Sequence, residues 1–235
     1  MVLIQNSNYL NFLSKFGVGG AHPGGINLTK EIFKAENIRK SSQILDVGCG
    51  TGQTAAYLAS EYGAKVTGID TNSIMVKKAI KRMKKDSLPV RIIQCSIEQT
   101  PLLDNTFDFI ISESVLSFVN KPKALKEIFR LLKKGGRFIA IEFTVNQRLD
   151  TKTEEEIKQF YGFNSFSMKK DWVALLQQAG FQNIRIQKNK SIFTIPEFHH
   201  SKDIEPELYE VMYKHFELAL EYDGILDYRI YSCTK

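Results

Sequence analysis

The sequence Ile44-Leu45-Asp46-Val47-Gly48-Cys49-Gly50-Thr51-Gly52-Gln53 decides how the rest of the chain is interpreted. Its apolar start predicts a short buried strand, its glycines predict a tight turn, and residues 54–59 predict a helix. Glycine tolerates positive φ and lets a ligand approach the main chain, and the amides at the helix start carry partial positive charge. This order of strand, turn and helix is where nucleotide-like ligands bind in doubly wound α/β folds.

Two common nucleotide-binding patterns do not match this turn. A phosphate-binding P-loop ends in Gly-Lys-Ser/Thr, and in the dinucleotide pattern G-x-G-x-x-G the third glycine position is held by Gln53, with Gly52 one residue early. Asp46 would repel a diphosphate, so it favours a ligand that carries positive charge. Asp70 ends the next apolar run, at about the 20-residue distance where a strand-end carboxylate binds a ribose diol.

Further motifs extend this pattern along the chain. Asp46-Val47-Gly48-Cys49-Gly50-Thr51-Gly52 resembles motif I of the class I S-adenosylmethionine-dependent methyltransferases, and Gly68-Ile69-Asp70 resembles their acidic second motif. Ser96-Ile97-Glu98-Gln99-Thr100-Pro101 is similar to the third motif, and Leu132-Lys133-Lys134-Gly135-Gly136 to the segment before the fifth strand. Order and spacing hold over residues 42–143, with most similarity to the branch that methylates quinones and other metabolites. For the glycine turn alone, the alternative is an α/β domain with another nucleotide ligand.

The resemblance implies the fold. We expect one Rossmann-like, doubly wound α/β domain over residues 1–235, with a mostly parallel seven-stranded sheet, helices on both faces and an antiparallel last strand. Within it, residues 1–40 are expected to form an N-terminal helical lid and residues 41–143 the cofactor-binding core. Residues 144–235 are expected to form a small substrate cap and the closing strands.

The resemblance also implies S-adenosyl-L-methionine as the methyl donor, S-adenosyl-L-homocysteine as its product, and no metal. The expected cofactor contacts are Asp46, Gly48, Cys49, Gly50, Gly52, Gln53, Asp70, Thr71, Ser96, Ile97 and Glu113. At the adenine ring the family pattern has an aspartate where this chain has Ser96. A hydroxyl accepts a hydrogen bond more weakly than a carboxylate does.

Two residues are candidate catalytic groups. Glu113 follows the predicted fourth strand, where the transferred methyl group should project, so it is either a general base or polar substrate partner, or a surface carboxylate paired with Lys121 or a neighbour. His22 lies in a glycine-rich loop as His-Pro-Gly-Gly, a sequence that also occurs in some small-molecule relatives. It either faces the cofactor or substrate, or is a hydrogen-bonded structural histidine.

Aromatic segments on either side of the core are expected to cover the site. Residues 9–25 and 160–166 are predicted to form a lid over the strand ends, with Tyr9, Tyr161 and His199 as substrate contacts. The pair His199-His200 lacks a further ligand at a recognisable spacing, so it does not predict a metal site.

Composition limits the partners. The chain carries 32 Lys and Arg against 26 Asp and Glu, a net charge of +6, with the excess at residues 77–85 and 121–137. Aromatic residues are not interleaved there, which favours solvated helix faces over a nucleic-acid surface. Three widely spaced cysteines fit a reducing compartment, and no segment predicts a membrane span or signal peptide. We expect a cytoplasmic monomer or homodimer.

The sequence therefore predicts methyl transfer to a small-molecule acceptor by in-line displacement, without nucleic-acid or membrane partners. One alternative is an RNA or DNA methyltransferase, although no Asn/Asp-Pro-Pro-Tyr/Phe sequence follows the fourth strand. A second alternative is a cofactor-binding module without transfer activity.

Overall fold

A computed structural model describes residues 7–188 and 196–235. In chain order its elements are α1 (Asn8–Phe16), β1 (Val18–Gly19), α2 (Gly25–Lys34), β2 (Gln43–Val47), α3 (Gln53–Tyr62), β3 (Lys65–Asp70), α4 (Ser73–Lys85), β4 (Arg91–Gln94), β5 (Phe107–Glu113), a short 3-10 helix (Leu116–Phe118), α5 (Lys121–Leu131), β6 (Leu132–Val145), α6 (Thr151–Tyr161), α7 (Lys169–Gln178), β7 (Gln182–Gln187), β8 (Glu197–Phe198), α8 (Glu207–Glu221) and β9 (Leu226–Thr234).

Seven of these strands form one sheet in the order β4-β3-β2-β5-β6-β9-β7. The strands β2 to β6 run parallel, whereas β9 runs antiparallel to both β6 and β7. The predicted mostly parallel sheet with an antiparallel last strand is confirmed. The strand order reverses at β2, which lies between β3 and β5, and ligands of open α/β sheets bind at the strand ends beside such a reversal.

Helices cover both faces of the sheet. Alternate residues of a strand face opposite sides, so Leu45 packs in the cluster of α5 and α7, while Ile44 packs in the cluster of α2 and α3. β5 repeats this alternation, and its centre is fully buried. Burial on both faces explains why these strands are apolar throughout.

A third cluster of apolar residues joins distant parts of the chain beyond the sheet. It packs α1 against α6 and α8, through Tyr9, Phe12, Phe16, Ile157, Tyr161, Leu208 and Leu218. β1 pairs with β8 in a separate two-stranded antiparallel sheet. We call this assembly of α1, β1, α6, β8 and α8 the cover.

α2 begins at Gly25, directly after Gly24 with φ 80°, and α5 ends at Leu131, where β6 begins. On α8, Phe216 is 52% exposed, since this helix carries apolar residues on its exposed face as well as on its buried one.

Within residues 7–188 and 196–235, no helix has both the length and the apolar character required to span a bilayer.

Candidate active site

The glycine turn after β2 is open on one side. Gly48 and Gly50 have φ of 67° and 52°. A Cβ added to Gly50 would have no neighbour within 4 Å, whereas one added to Gly48 would lie 2.3 Å from Cγ2 of Val115. The turn therefore needs glycine at position 48 to pack against the end of β5, and it leaves free space beside position 50.

Asp70 lies next to this turn, as the motif spacing predicted. Its Oδ2 accepts a hydrogen bond from the Gly50 amide at 2.9 Å, and its Oδ1 accepts one from the Asn72 amide at 2.8 Å. Burial raises the pKa of Asp70, although these amides oppose the rise. The two amides fix the carboxylate at the carboxyl end of β3.

Asp46, near the end of β2, has one buried carboxylate oxygen without a hydrogen bond in the described part of the chain. Its side chain is buried, with the residue 2% exposed, and Oδ2 has no hydrogen-bond partner among the described residues. Burial raises its pKa well above the usual range, and repulsion from Glu113 and Asp70 adds to the rise. A buried, unpaired carboxylate oxygen beside two further carboxylates is suited to a ligand with positive charge.

Glu113 connects three elements beneath the turn. Its Oε1 accepts from Oγ1 of Thr29 on α2 at 2.5 Å, and its Oε2 accepts from Oγ1 of Thr54 on α3 at 2.6 Å. The expected alternative partner, Lys121, points elsewhere, because its Nζ donates to the carbonyl and hydroxyl of Ser165. The pairing of Glu113 with Lys121 was therefore wrong.

His22 lies in the same cluster. Its side chain is 3% exposed, and Nε2 is 3.3 Å from Thr29 Oγ1 and 3.4 Å from Glu113 Oε1. The His-Pro-Gly-Gly loop thus places an imidazole against a carboxylate at the end of β5. Such a pair can take up or deliver a proton.

The residues expected at the nucleoside lie at the ends of β3 and β4. Ser96 Oγ accepts from the Glu98 amide at 3.1 Å, Ile97 is buried in the core, and Thr71 is exposed directly after β3. Since β3 and β4 are neighbours in the sheet, these residues and Asp70 are brought to one edge.

Cys49 joins the glycine turn to β3 through its main chain. Its amide donates to the Ile69 carbonyl at 2.9 Å, while its thiol packs against Gly68, where an added Cβ would lie 2.9 Å from Sγ. Burial raises the pKa of this thiol well above its usual range.

The predicted substrate contacts are divided between the two ends of α1. Tyr9 and Tyr161 pack edge to face with ring centroids 4.8 Å apart, and the Tyr161 hydroxyl is 3.1 Å from His215 Nδ1. Burial raises the pKa of both tyrosines. His199 lies at the other end, where its amide donates to the Phe16 and Gly17 carbonyls. The structure thus brings Tyr9 and Tyr161 together and separates His199 from them.

A polar contact between the cover and the turn was not predicted. Glu197 Oε2 accepts from Gln53 Nε2 and from Arg82 Nη2, each at 2.8 Å, and Arg82 Nε donates to the Thr51 carbonyl at 2.9 Å. His199 joins this group through Glu197 Oε1 at 2.7 Å. These residues come from distant parts of the sequence, so no local pattern indicates their contact.

Two other expectations concern the basic segments and the absence of a metal site. The basic segment 121–137 is partly neutralised, because Arg130, Lys133 and Arg137 form ion pairs with carboxylates, and Lys121 is buried rather than solvated. Across the described part of the chain, no group of three or more His, Cys, Asp or Glu side chains is placed to hold a metal.

Comparisons with known proteins agree with this geometry. The model of the "Methyltransferase domain" family matches residues 45–140. The "Uncharacterized methyltransferase YodH" of Bacillus subtilis is 34% identical over 97% of this chain and 100% of its own length. A "Phosphoethanolamine N-methyltransferase" of Triticum aestivum is 30% identical over 76% of this chain, which spans only 35% of that protein.

One solved structure illustrates the likeness in fold. "Haemonchus contortus Phosphoethanolamine N-methyltransferase 2 in complex with S-adenosyl-L-methionine" superposes with a TM-score of 0.78, at 17% identity. The match covers 97% of this chain and 56% of that chain. Together with the glycine turn and the acidic strand ends, the comparisons establish that this chain belongs to the class I S-adenosylmethionine-dependent methyltransferase family.

Proposed function

We propose that this protein transfers a methyl group from S-adenosyl-L-methionine to a small-molecule acceptor at the carboxyl ends of β2 and β5. The observation that carries the proposal is the unpaired Oδ2 of Asp46, buried beside Glu113 and Asp70. S-adenosyl-L-methionine brings an ammonium and a sulfonium, which compensate such a cluster of carboxylates, whereas a dinucleotide brings further negative charge.

The residues divide among the parts of this cofactor. Asp70 would hold the ribose hydroxyls, Ser96 and Ile97 would border the adenine, and Asp46 with Glu113 would face the charged methionyl end. The bound cofactor supplies an electrophilic methyl group. The chain contributes orientation of the acceptor and exclusion of water, which are the main sources of acceleration for an in-line displacement.

The candidate base is the Glu113–His22 pair. It is needed only where the acceptor must lose a proton, as an oxygen or nitrogen nucleophile does. Its position next to Asp46 supports this role, since a proton acceptor has to lie near the reacting methyl group.

Two lines of support favour a small acceptor. The names of the relatives include phosphoethanolamine and ubiquinone/menaquinone methyltransferases, whose acceptors are small molecules. Tyr9 and Tyr161 lie in an aromatic cover that suits a small, enclosed substrate better than a nucleic acid strand. A cytoplasmic monomer or homodimer without nucleic-acid or membrane partners remains our expectation.

The test measures cofactor affinity in Asp46→Asn, which keeps the shape of the side chain and removes its charge. Calorimetry should show binding of S-adenosyl-L-methionine weakened by roughly 1.5–3 kcal/mol, the range for a hydrogen bond to a charged group. Asp108→Asn is the matched control, because Asp108 lies at the opposite end of β5 and pairs with Lys133. Equal affinity in both folded variants would contradict the assignment of Asp46.

Activity separates the alternatives. Incubation with labelled cofactor and a metabolite extract should yield a labelled small molecule. Label in RNA, together with salt-dependent RNA binding, would support a nucleic-acid methyltransferase instead. Binding of cofactor with no labelled product from metabolites or nucleic acid would leave a binding module.

A further inference from the structure

Glu142 is a buried carboxylate that the proposed reaction does not use. It lies in β6 within an apolar run and is 0% exposed. Its Oε1 accepts from Ser112 Oγ at 2.7 Å and from the Val115 and Leu116 amides at 3.2 Å each, and its Oε2 accepts from the Leu116 amide at 3.1 Å. All these partners are donors, so the site is built for a group that only accepts.

The donors belong to the turn that ends β5. Ser114 has φ 58°, a left-handed conformation that is costly for a residue with a side chain, and its amide donates to the Ile141 carbonyl at 2.7 Å. Val115 packs against Gly48, and Glu113 enters the carboxylate cluster. A carboxylate that holds the amides of Val115 and Leu116 therefore fixes the position of the turn relative to the glycine turn.

Among the described residues, two cations lie near Glu142, Lys121 on α5 and Arg229 on β9. The ammonium of Lys121 on α5 attracts Glu142, but its own hydrogen bonds go to Ser165. On β9, the Tyr231 hydroxyl bonds to Thr144, and the guanidinium of Arg229, opposite Glu142 in register, bonds to Asn146 and Asp227. Lys121 is therefore the compensating charge for Glu142.

We propose that ionised Glu142 is a positioning residue for the methyl-transfer site, and that its protonation loosens the turn of residues 113–116 and lowers cofactor affinity. The inference rests on the proposed function. A protonated carboxyl group presents a hydrogen where the described contacts require an acceptor, so it cannot satisfy all the donors equally well. Glu142 would change its protonation state near neutral pH, because burial raises its pKa to about 7.

Glu142→Gln imitates the protonated state without changing the shape of the side chain. Hydrogen exchange at the Val115 and Leu116 amides should be faster in this variant at pH 8. In the wild type the same protection should fall between pH 8 and pH 6, after correction for intrinsic exchange rates. The proposal would be overturned if the Val115 and Leu116 amides exchanged at the same corrected rate in Glu142→Gln and in the wild type, at both pH values.

Cofactor affinity provides a readout that a purely structural role would not give. By calorimetry, S-adenosyl-L-homocysteine should bind the wild type roughly fivefold or more weakly at pH 6 than at pH 8, the lower end of ordinary coupling energies. Glu142→Gln should bind weakly at both pH values, and Asp108→Asn should follow the wild type. Parallel pH dependence in Glu142→Gln and the wild type would also overturn the proposal.

The exchange and calorimetry experiments together distinguish a failure of this inference from a failure of the proposed function. If the wild type fails to bind S-adenosyl-L-homocysteine at any pH, the assigned cofactor is wrong, while the exchange data still report on the turn. If it binds and Glu142→Gln retains its affinity and pH dependence, the role of Glu142 is wrong and the cofactor assignment stands.

Discussion

At the scale of single residues, Asp46 and Asp70 differ in the hydrogen bonds that their carboxylates accept. Asp70 accepts from two backbone amides, which orient both of its oxygens before any ligand arrives. Asp46 retains an oxygen without a partner. Preorganisation at Asp70 favours selectivity for a diol, while the uncompensated charge at Asp46 favours a cationic ligand.

Asp70→Ala is expected to weaken binding of S-adenosyl-L-homocysteine by roughly 1.5–3 kcal/mol, since hydrogen bonds from the ribose hydroxyls to a charged group are lost. Calorimetry measures the change. Asp104→Ala, an acidic substitution outside the site, should leave the affinity unaltered. An Asp70→Ala protein that folds and binds normally would show that the ribose lies elsewhere.

Ser96→Asp is expected to be tolerated and to bind the cofactor at least as tightly as the wild type. The Ser96 hydroxyl accepts from the Glu98 amide, a role that an aspartate carboxylate can also fill. The carboxylate would then add a stronger acceptor for the adenine amine. A large loss of affinity in titrations would indicate that the ring is not at this position.

The sequence predicted the relative positions of groups that are close along the chain. Asp46 lies just before the turn that holds Gly48 and Gly50, and Asp70 ends the next strand, so their spacing was informative, while their contacts with a cofactor stay a prediction. Glu142 was missed although a charged residue inside the apolar run of β6 was itself a signal. Thr29, Thr54 and Glu197 reach the site only through the fold, and nothing local indicated them.

At the scale of elements, the cover is attached to the core by a polar contact at one end. At the other end Tyr161 stacks on Phe163, whose ring packs against Phe143 of β6 with centroids 5.0 Å apart. The Arg82–Glu197–Gln53 contact lies beside the glycine turn, and the side chains of Arg82 and Glu197 remain partly exposed. Exposed ion pairs stabilise a structure only slightly. The end of the cover near β1 and β8 should therefore open more readily than the end near Tyr9 and Tyr161.

We expect hydrogen exchange in residues 9–25 to slow when cofactor binds, most strongly near β1, because the bound ligand favours the closed cover. Glu197→Gln should speed exchange at β1 in the free protein, whereas amides of α5 and α7 should be unaffected. His22→Ala should reduce turnover more than it alters the free energy of unfolding. If exchange in residues 9–25 is slow in the free protein and is changed neither by cofactor nor by Glu197→Gln, the cover does not open.

At the scale of the whole molecule, the mostly parallel sheet with an antiparallel last strand could be predicted from the resemblance of the motifs to a known family, whereas the order of the strands was not predicted. The cover could be predicted only in part. Residues 9–25 and 160–166 were assigned to it from their aromatic content, but the contributions of β8 and α8 depend on contacts between distant segments. Composition could indicate that the aromatic residues would be buried away from water, but it could not indicate which segments would pack together.

The free energy of unfolding should depend on the protonation of Glu142, because burying its charge costs more than its hydrogen bonds to the turn return, even though those bonds order the turn. Its folded pKa of about 7 lies above the value of an exposed glutamate, so the folded protein binds this proton more tightly than the unfolded chain does. The stabilisation from the bound proton is present at low pH and is lost as pH rises through 7. Relative to Glu142→Gln, the wild type should lose up to about 3 kcal/mol between pH 5 and pH 8.

Denaturant unfolding of both proteins across this range measures the difference. Restricting the series to pH 8 and below limits the contribution of Lys121, whose pKa burial lowers to about 8. A difference between the two proteins that does not change with pH would show that Glu142 titrates normally.

The position of β9 has a consequence for synthesis of the protein. β9 pairs with β6 along nine residues and lies between β6 and β7 in the sheet. In the chain, however, β7 comes before β9. A ribosome releases β7 well before the strand against which it must pair. The nascent chain can thus assemble the parallel strands early, while β7 waits with its backbone groups open to water or to another chain until residues 226–234 emerge.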